Sequence, residues 1–229
     1  HGDGVVGKKL VDDERIDHIA FTGSLEVGKS IRIACANSSH KTCSCEMGSK
    51  SAIIVMEDAD LDLAVSACIN SAFKLSGQRC VSASRLFVQR SILDKFKNLF
   101  IREMDNVLIS DPFLKLKQHK NSVVFGPLIS KEQMNRVEQF NSMVRNDKDA
   151  LVLYDLDKNG RIANKGYYLR PFVYQVEWAD KPYLKQEVFG PHCGIIPFDT
   201  LEDAIAKYND TQYGLALAAI TNDFRAMRE

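Results

Sequence analysis

The sequence predicts an α/β protein with mostly parallel sheets. Two observations carry that expectation. Short apolar or alternating runs recur along the whole chain of 229 residues. Most are followed by a helix-capping residue and a stretch whose apolar positions repeat at helical spacing. With 45% apolar residues the chain can bury a sizeable core.

HGDGVVG at the start reads as a glycine turn. IDHIAF (16–21) is a short strand running into Thr22-Gly23-Ser24, with Ser24 the expected N-cap of a helix. Val27, Ile31, Ala34, Cys35 and Ser38 share that helix's expected buried face. In KTCSCEMG (41–48), Thr42, Ser44 and Glu46 point one way and Cys43, Cys45 and Met47 the other, as on a strand. SAIIVM (51–56) is a further strand. Asp60 then caps a helix with the stripe Leu61, Ala64, Val65, Cys68 and Ala72, ending near Ser76-Gly77. Cys80 falls in the next loop, before the strand RLFVQ (85–89). Ser91-x-x-Asp94 reads as a capping box, Asp111-Pro112 as a turn, and Ser130-x-x-Gln133 as the cap of another helix. Strands are expected at 152–156 and 167–176, with the turn 158–160 between them. A strand at 193–198, a helix from Thr200 and a strand at 215–221 complete the reading.

Thirty basic residues balance thirty acidic ones, so no charge field holds nucleic acid or an anionic membrane. No apolar run approaches a membrane span, and no signal-peptide pattern opens the chain. Six cysteines in this mixed composition do not resemble a secreted disulfide framework, so a cytoplasmic or organelle-matrix setting is expected.

Five clusters suggest chemistry. Cys35, His40, Cys43 and Cys45 have zinc-ligand chemistry, but their spacing is poor and the thiols have core positions of their own. The strand–Thr-Gly-Ser–helix passage, preceded by Gly2, Gly4 and Gly7, can aim backbone N–H groups at a phosphate. Cys80 stands among polar and small neighbours (Gln78, Arg79, Ser82, Ser84), and a nearby arginine favours the nucleophilic thiolate. Glu46, at a strand end beside a tight turn, suits a general base. Glu187 and Phe189, ahead of Gly190-Pro191, suit a ribose diol and a flat heterocycle.

Taken together, FTGSLEVGK (21–29), CEMGSKSAIIV (45–55), DADLDLAV (58–65), SGQRCVSASRLFV (76–88), FGPLISKEQ (125–133), KQEVFGP (185–191) and NDTQYGLALAAIT (209–221) resemble the aldehyde dehydrogenase superfamily in order and approximate spacing. The resemblance implies the end of a Rossmann-type coenzyme-binding domain (1–48) joined to an α/β catalytic domain (49–229) that is incomplete at its C-terminus. It also implies that family segments needed for the adenosine half, an oxyanion-hole asparagine and oligomerisation lie outside these residues. On that basis the fragment alone is expected to be inactive, and the full-length protein a homo-oligomer.

The implied reaction oxidises a small-molecule aldehyde to a carboxylate with NAD or NADP. Cys80 is the implied nucleophile, passing through a thiohemiacetal and a thioester, and Glu46 is the base for hydrolysis. Gly4, Gly23, Ser24, Met47, Gly48, Gln133, Glu187 and Phe189 are the implied coenzyme contacts. The Glu-Met-Gly and Ser-Gly-Gln-x-Cys wording points toward amino-acid semialdehydes. Two positions depart from the pattern: Ser49 stands where a second glycine is common, and His192 where an apolar residue is usual. The rivals are a dehydrogenase-like protein without activity and a zinc module on Cys35, His40, Cys43 and Cys45.

Overall fold

The computed structural model describes residues 2–109, 124–155, 166–225 and 228. It divides into two compact units, His1–Gly48 and Ser49–Glu229. The turns read at 111–112 and 158–160 lie outside the described residues.

The first unit is a β-α-β passage with a helix before it: α1 (Gly4–Asp12), β1 (His18–Gly23), α2 (Leu25–Ala36) and β2 (Thr42–Met47). The two strands run parallel, with His18 opposite Thr42 and Gly23 opposite Met47. The opening segment is a helix rather than the expected glycine turn. Asp3 caps it by accepting from the N–H groups of Val5 and Val6, and this cap outweighs the poor helix propensity of Gly4 and Gly7. Ser24 caps α2 as expected, accepting from Val27 N–H at 3.3 Å.

The buried stripe of α2 is not the one read from spacing. Gly28, Ile31 and Cys35 are buried, Ala34 and Ser38 are half-buried, and Val27 is 47% exposed. The reason is steric. Met47 lies over Gly28, where an added Cβ would stand 2.4 Å from its Sδ, so the helix meets β2 at Gly28 and turns Val27 outward. The alternation along β2 holds: Cys43, Cys45 and Met47 are half-buried while Thr42, Ser44 and Glu46 are exposed.

The second unit is built on a six-stranded sheet. Its strands are β3 (Ala52–Val55), β4 (Arg85–Gln89), β7 (Leu151–Asp155), β8 (Phe172–Gln175), β9 (His192–Phe198) and β10 (Leu217–Ile220), in the order β10-β3-β4-β9-β8-β7. All neighbours are parallel except β7, which pairs antiparallel with β8. A separate short parallel pair joins β5 (Leu108–Ile109) to β6 (Val124–Phe125).

Successive residues of the central strands feed opposite faces. Ile53, Val55, Leu86, Val88 and Ile195 pack with α3 (Leu61–Phe73) and α4 (Leu93–Met104). Ala52, Ile54, Phe87, Ile196 and Phe198 pack with α5 (Lys131–Arg145), α6 (Pro182–Lys185) and α7 (Leu201–Asn209). Covered on both faces, β3 and β9 are buried at every residue, and His192 at the start of β9 is the polar exception to their apolar runs.

Asp60 and Ser130 cap α3 and α5 as expected, and Thr200, from which a helix was expected, is the N-cap of α7. Ser91 does not cap α4. A single 3-10 turn precedes that helix, and the Ser91 hydroxyl instead donates to Glu57 at 2.7 Å. β8 begins at Phe172, not Tyr167, because Pro171 has no N–H to extend the ladder, while Tyr167 makes an isolated bridge to Leu128. Among the described residues no helix is long and apolar enough to cross a membrane.

Candidate active site

In the second unit the chain leaves α3 through three left-handed residues, Leu75 (φ +56°), Ser76 (φ +59°) and Gly77 (φ +68°). A side chain at Gly77 would meet the Gly190 carbonyl oxygen at 2.3 Å, so the glycine lets the two loops touch. The loop that follows is bonded on both flanks. Arg79 donates to the carbonyls of Asn70 (3.3 Å) and Ser71 (2.8 Å), and Gln78 Oε1 accepts from Ile129 N–H at 2.9 Å. The Arg79 guanidinium thereby ties the loop to the end of α3.

Cys80 sits half-buried on this loop. Its carbonyl accepts from the hydroxyls of Ser49 and Ser51. Ser49, Cys80, Glu187, Phe189, Gly190 and His192 border one narrow cavity of about 10 Å³. Glu187 Oε1 accepts from Ser49 N–H at 2.8 Å, and Arg136 donates to the Glu187 carbonyl at 2.8 Å. Phe189 is held in a left-handed conformation, φ +58°. Gln133 Nε2 supports that strained turn by donating to the carbonyls of Val188 (3.0 Å) and Phe189 (2.8 Å). The structure thus brings Cys80, Glu187 and Phe189 together, with Gln133 behind them as a backbone brace.

The remaining candidates lie in the first unit. Gly23, Ser24, Glu46, Met47 and Gly48 gather at the carboxyl ends of the parallel strands β1 and β2, where Thr22 faces Glu46. In open α/β sheets this edge is the usual ligand crevice. Ser24 satisfies Val27 N–H, and the amides of Leu25 and Glu26 precede the helix's own bonding, as at an anion-binding helix start. Met47 turns its side chain onto Gly28, so its outward contribution is backbone. Gly4 opens α1 and borders an apolar cavity of about 690 Å³ with Leu10, Ile16, Phe21 and Val27.

The proposed zinc ligands are not gathered. Cys35 is buried on α2, and His40 bonds Ser38 Oγ at 3.3 Å and the Glu14 carbonyl at 3.1 Å. Among the described residues no three His, Cys, Asp or Glu are placed to hold a metal.

Three groups near the cleft were not assigned roles from sequence. His192 is buried, with Nδ1 2.8 Å from Asn141 Oδ1 and Nε2 3.1 Å from Tyr174 OH. The Asn141 amide nitrogen donates to Glu138, so its oxygen faces the ring, and His192 is a neutral imidazole protonated on Nδ1. Burial holds its pKa well below the usual histidine value, with the Lys50 charge adding to the shift. Lys50 itself is buried and donates to the Tyr183 carbonyl at 2.9 Å, and burial lowers its pKa to about 7. Arg85 is fully buried against Phe87, Trp178 and Tyr208, donating to the carbonyls of Lys50, Lys207 and Tyr208. A cation bordering an apolar strand is the signal in sequence, but only packing shows what it braces.

Comparison with known proteins gives the family. Residues 1–229 match the aldehyde dehydrogenase family. An aldehyde dehydrogenase of Davidiella tassiana is 36% identical over 225 residues, which is 98% of this chain and 43% of that protein. Aldehyde dehydrogenase 1A1 of Bos taurus is 38% identical over 208 residues, 91% of this chain and 40% of the relative. The chain therefore spans about two fifths of the length of these curated relatives. Among solved structures, betaine aldehyde dehydrogenase from Staphylococcus aureus in complex with NAD+ superposes with a TM-score of 0.87 at 29% identity, over 99% of this chain and 44% of that one. Gamma-glutamyl-gamma-aminobutyraldehyde dehydrogenase from Burkholderia cenocepacia gives 0.87 at 32%, over 99% and 45%. A whole-chain family match, borne by a parallel sheet that carries a loop cysteine, makes this chain a member of the aldehyde dehydrogenase family.

Proposed function

We propose that the protein carrying this chain oxidises an aldehyde to a carboxylic acid with NAD or NADP, using Cys80 as nucleophile. One observation carries the reading. Of the six cysteines, only Cys80 stands outside a helix or strand, in a cleft bordered by Glu187 and Phe189. Cys68 and Cys193 are buried, and burial raises their thiol pKa values, that of Cys193 to about 12, so they stay protonated and inert.

In this reading the Cys80 thiolate attacks the carbonyl carbon, and the Cys80 backbone N–H donates to the oxygen that becomes negative. The coenzyme, when bound, supplies the hydride acceptor that turns the sulfur adduct into a thioester. Glu46 takes a proton from the water that hydrolyses this thioester, releasing the acid and freeing the thiol. Gly23, Ser24, Met47, Gly48 and Gly4 would hold the coenzyme from residues 1–48. Glu187 would accept from ribose hydroxyls, and Phe189, set in place by Gln133, would support the nicotinamide ring. Residues 1–48 then act as part of a coenzyme-binding domain and 49–229 as part of a catalytic domain.

The test uses full-length protein and follows NAD(P)H absorbance. Cys80→Ala is expected to abolish oxidation while coenzyme affinity stays within about twofold, since the thiol acts on substrate and not on coenzyme. Turnover by that variant would remove the nucleophile assignment. Glu46→Gln is expected to accumulate an acyl adduct on Cys80, visible by mass spectrometry. A variant with normal steady-state rates and no trapped adduct would exclude Glu46 as the base.

A further inference from the structure

Ser49 and Ser51 flank Lys50 just before β3, and both are buried, at 4% and 2% exposure. Buried hydroxyls need partners. These two are 2.7 Å apart, Oγ to Oγ, and Ser49 Oγ also meets the Cys80 carbonyl and accepts from Ser51 N–H at 3.2 Å. Proton counting fixes the directions. A carbonyl only accepts, so the single Ser49 hydroxyl proton goes to Cys80. The Ser51 hydroxyl proton then goes to Ser49 Oγ, with the Cys80 carbonyl, 3.3 Å away, as its alternative. Ser49 Oγ donates once and accepts twice, which fills its capacity. In a dry setting such a chain of hydroxyls polarises each member and strengthens the last bond.

A second tie runs parallel to the first. Ser84 N–H donates to the Ser51 carbonyl at 3.2 Å, so the Cys80 loop is bonded to the same stretch on its far side. The Ser49 amide separately donates to Glu187. The hydroxyl and the amide of one residue thus serve two different groups of the cleft.

We infer that Ser49 is a positioning residue for Cys80: the relay from Ser51 through Ser49 to the Cys80 carbonyl fixes the backbone of the residue that bears the thiol. The inference rests on Cys80 being the nucleophile. It goes beyond that reading because the hydroxyl occurs where glycine is common in the family pattern, and a glycine could not make this bond.

The experiment is steady-state kinetics of full-length protein bearing Ser49→Ala, Ser51→Ala or Cys80→Ala. Ser49→Ala is expected to lower kcat on the order of tenfold, as small misplacements of reacting groups do, with the coenzyme KM within about twofold because the amide bond to Glu187 is main chain. Ser51→Ala is expected to lose about threefold, because Ser49 still reaches the carbonyl but without its polarising donor. A merely structural role would move thermal stability without this split between kcat and KM. The positioning role is overturned if kcat of Ser49→Ala stays within about twofold of the parent, or if kcat and coenzyme KM shift together. Should Ser49→Ala fail to fold, an unchanged kcat in Ser51→Ala overturns it instead. Turnover by Cys80→Ala would remove the nucleophile reading itself, and the inference with it. An inactive Cys80→Ala beside a fully active Ser49→Ala would sink the positioning role alone.

Discussion

Residues 2–48 and Ser49–Glu229 use the same alternation of strand and helix, yet they bury very different amounts. In the first unit Ile31 and Cys35 are the buried apolar side chains among the described residues, while Val5, Leu10 and Ile33 are 64%, 56% and 63% exposed. In the second, two clusters fill both faces of a six-stranded sheet. A two-stranded sheet offers too little surface to close a core of its own. The contrast extends to chemistry. Cys80, Phe189 and Glu187 are braced by Ser49, Gln133 and Arg136, whereas Glu46 and Gly23 are placed by strand register and one close helix contact at Gly28. The lesson is that preorganisation of individual side chains follows core density, because only a dense interior can hold buried polar braces.

Substitutions can break or sharpen that contrast. The chain's only tryptophan, Trp178, packs on Phe87 at 6.0 Å, so its fluorescence reports the second unit. The largest effect is expected from Phe96→Ala, which opens a cavity under a fully buried ring and should cost about 3–5 kcal/mol in the urea transition seen by Trp178. A loss below about 1 kcal/mol would mean that this core is looser than its burial indicates. Ile31→Ala should cost about 2 kcal/mol, at the low end for buried aliphatics because the surrounding core is thin. Amide exchange across His18–Gly23 and Thr42–Met47 would report it, and unchanged protection there would contradict the assigned packing of α2.

Acid should act next. Folding holds His192 neutral with a depressed pKa, while the unfolded chain binds a proton near 6.5. The unfolded state therefore takes up more protons as pH falls below about 6.5, and stability drops with a slope of up to about 1.4 kcal/mol per pH unit. His192→Gln should flatten the profile between roughly pH 6.5 and 5. Asp147, whose pKa is lowered to about 2 chiefly by its bond to Lys181, acts in a separate window below the ordinary carboxylate value of 3.8. An unaltered slope in the histidine variant would assign the acid effect elsewhere. The smallest change is expected at Val27, where replacement by serine on the exposed face of α2 should stay within about 0.5 kcal/mol. A larger loss would show that this face is covered in solution.

Much of this was legible in the chain. Capping by Ser24, Asp60, Ser130 and Thr200 is local, since a side-chain oxygen reaches an N–H two or three residues on. Ser91 misled because the same hydroxyl found a better partner in Glu57, 34 residues away. The stripe of α2 misled because helical spacing cannot see that Met47 presses on Gly28.

The sequence by itself determined the α/β alternation, the solvent-facing side of β2 and the loop position of Cys80, all set by periodicity and by groups a few residues apart. Tertiary structure alone decided that Ser49 reaches Cys80, that Gln133 supports the turn at Phe189, and that Arg85 and His192 lie buried and bonded. Those contacts join residues 31 to 56 positions apart, and no local pattern encodes them, because burial first brings the groups together and the cost of an unpaired polar atom then selects their partners.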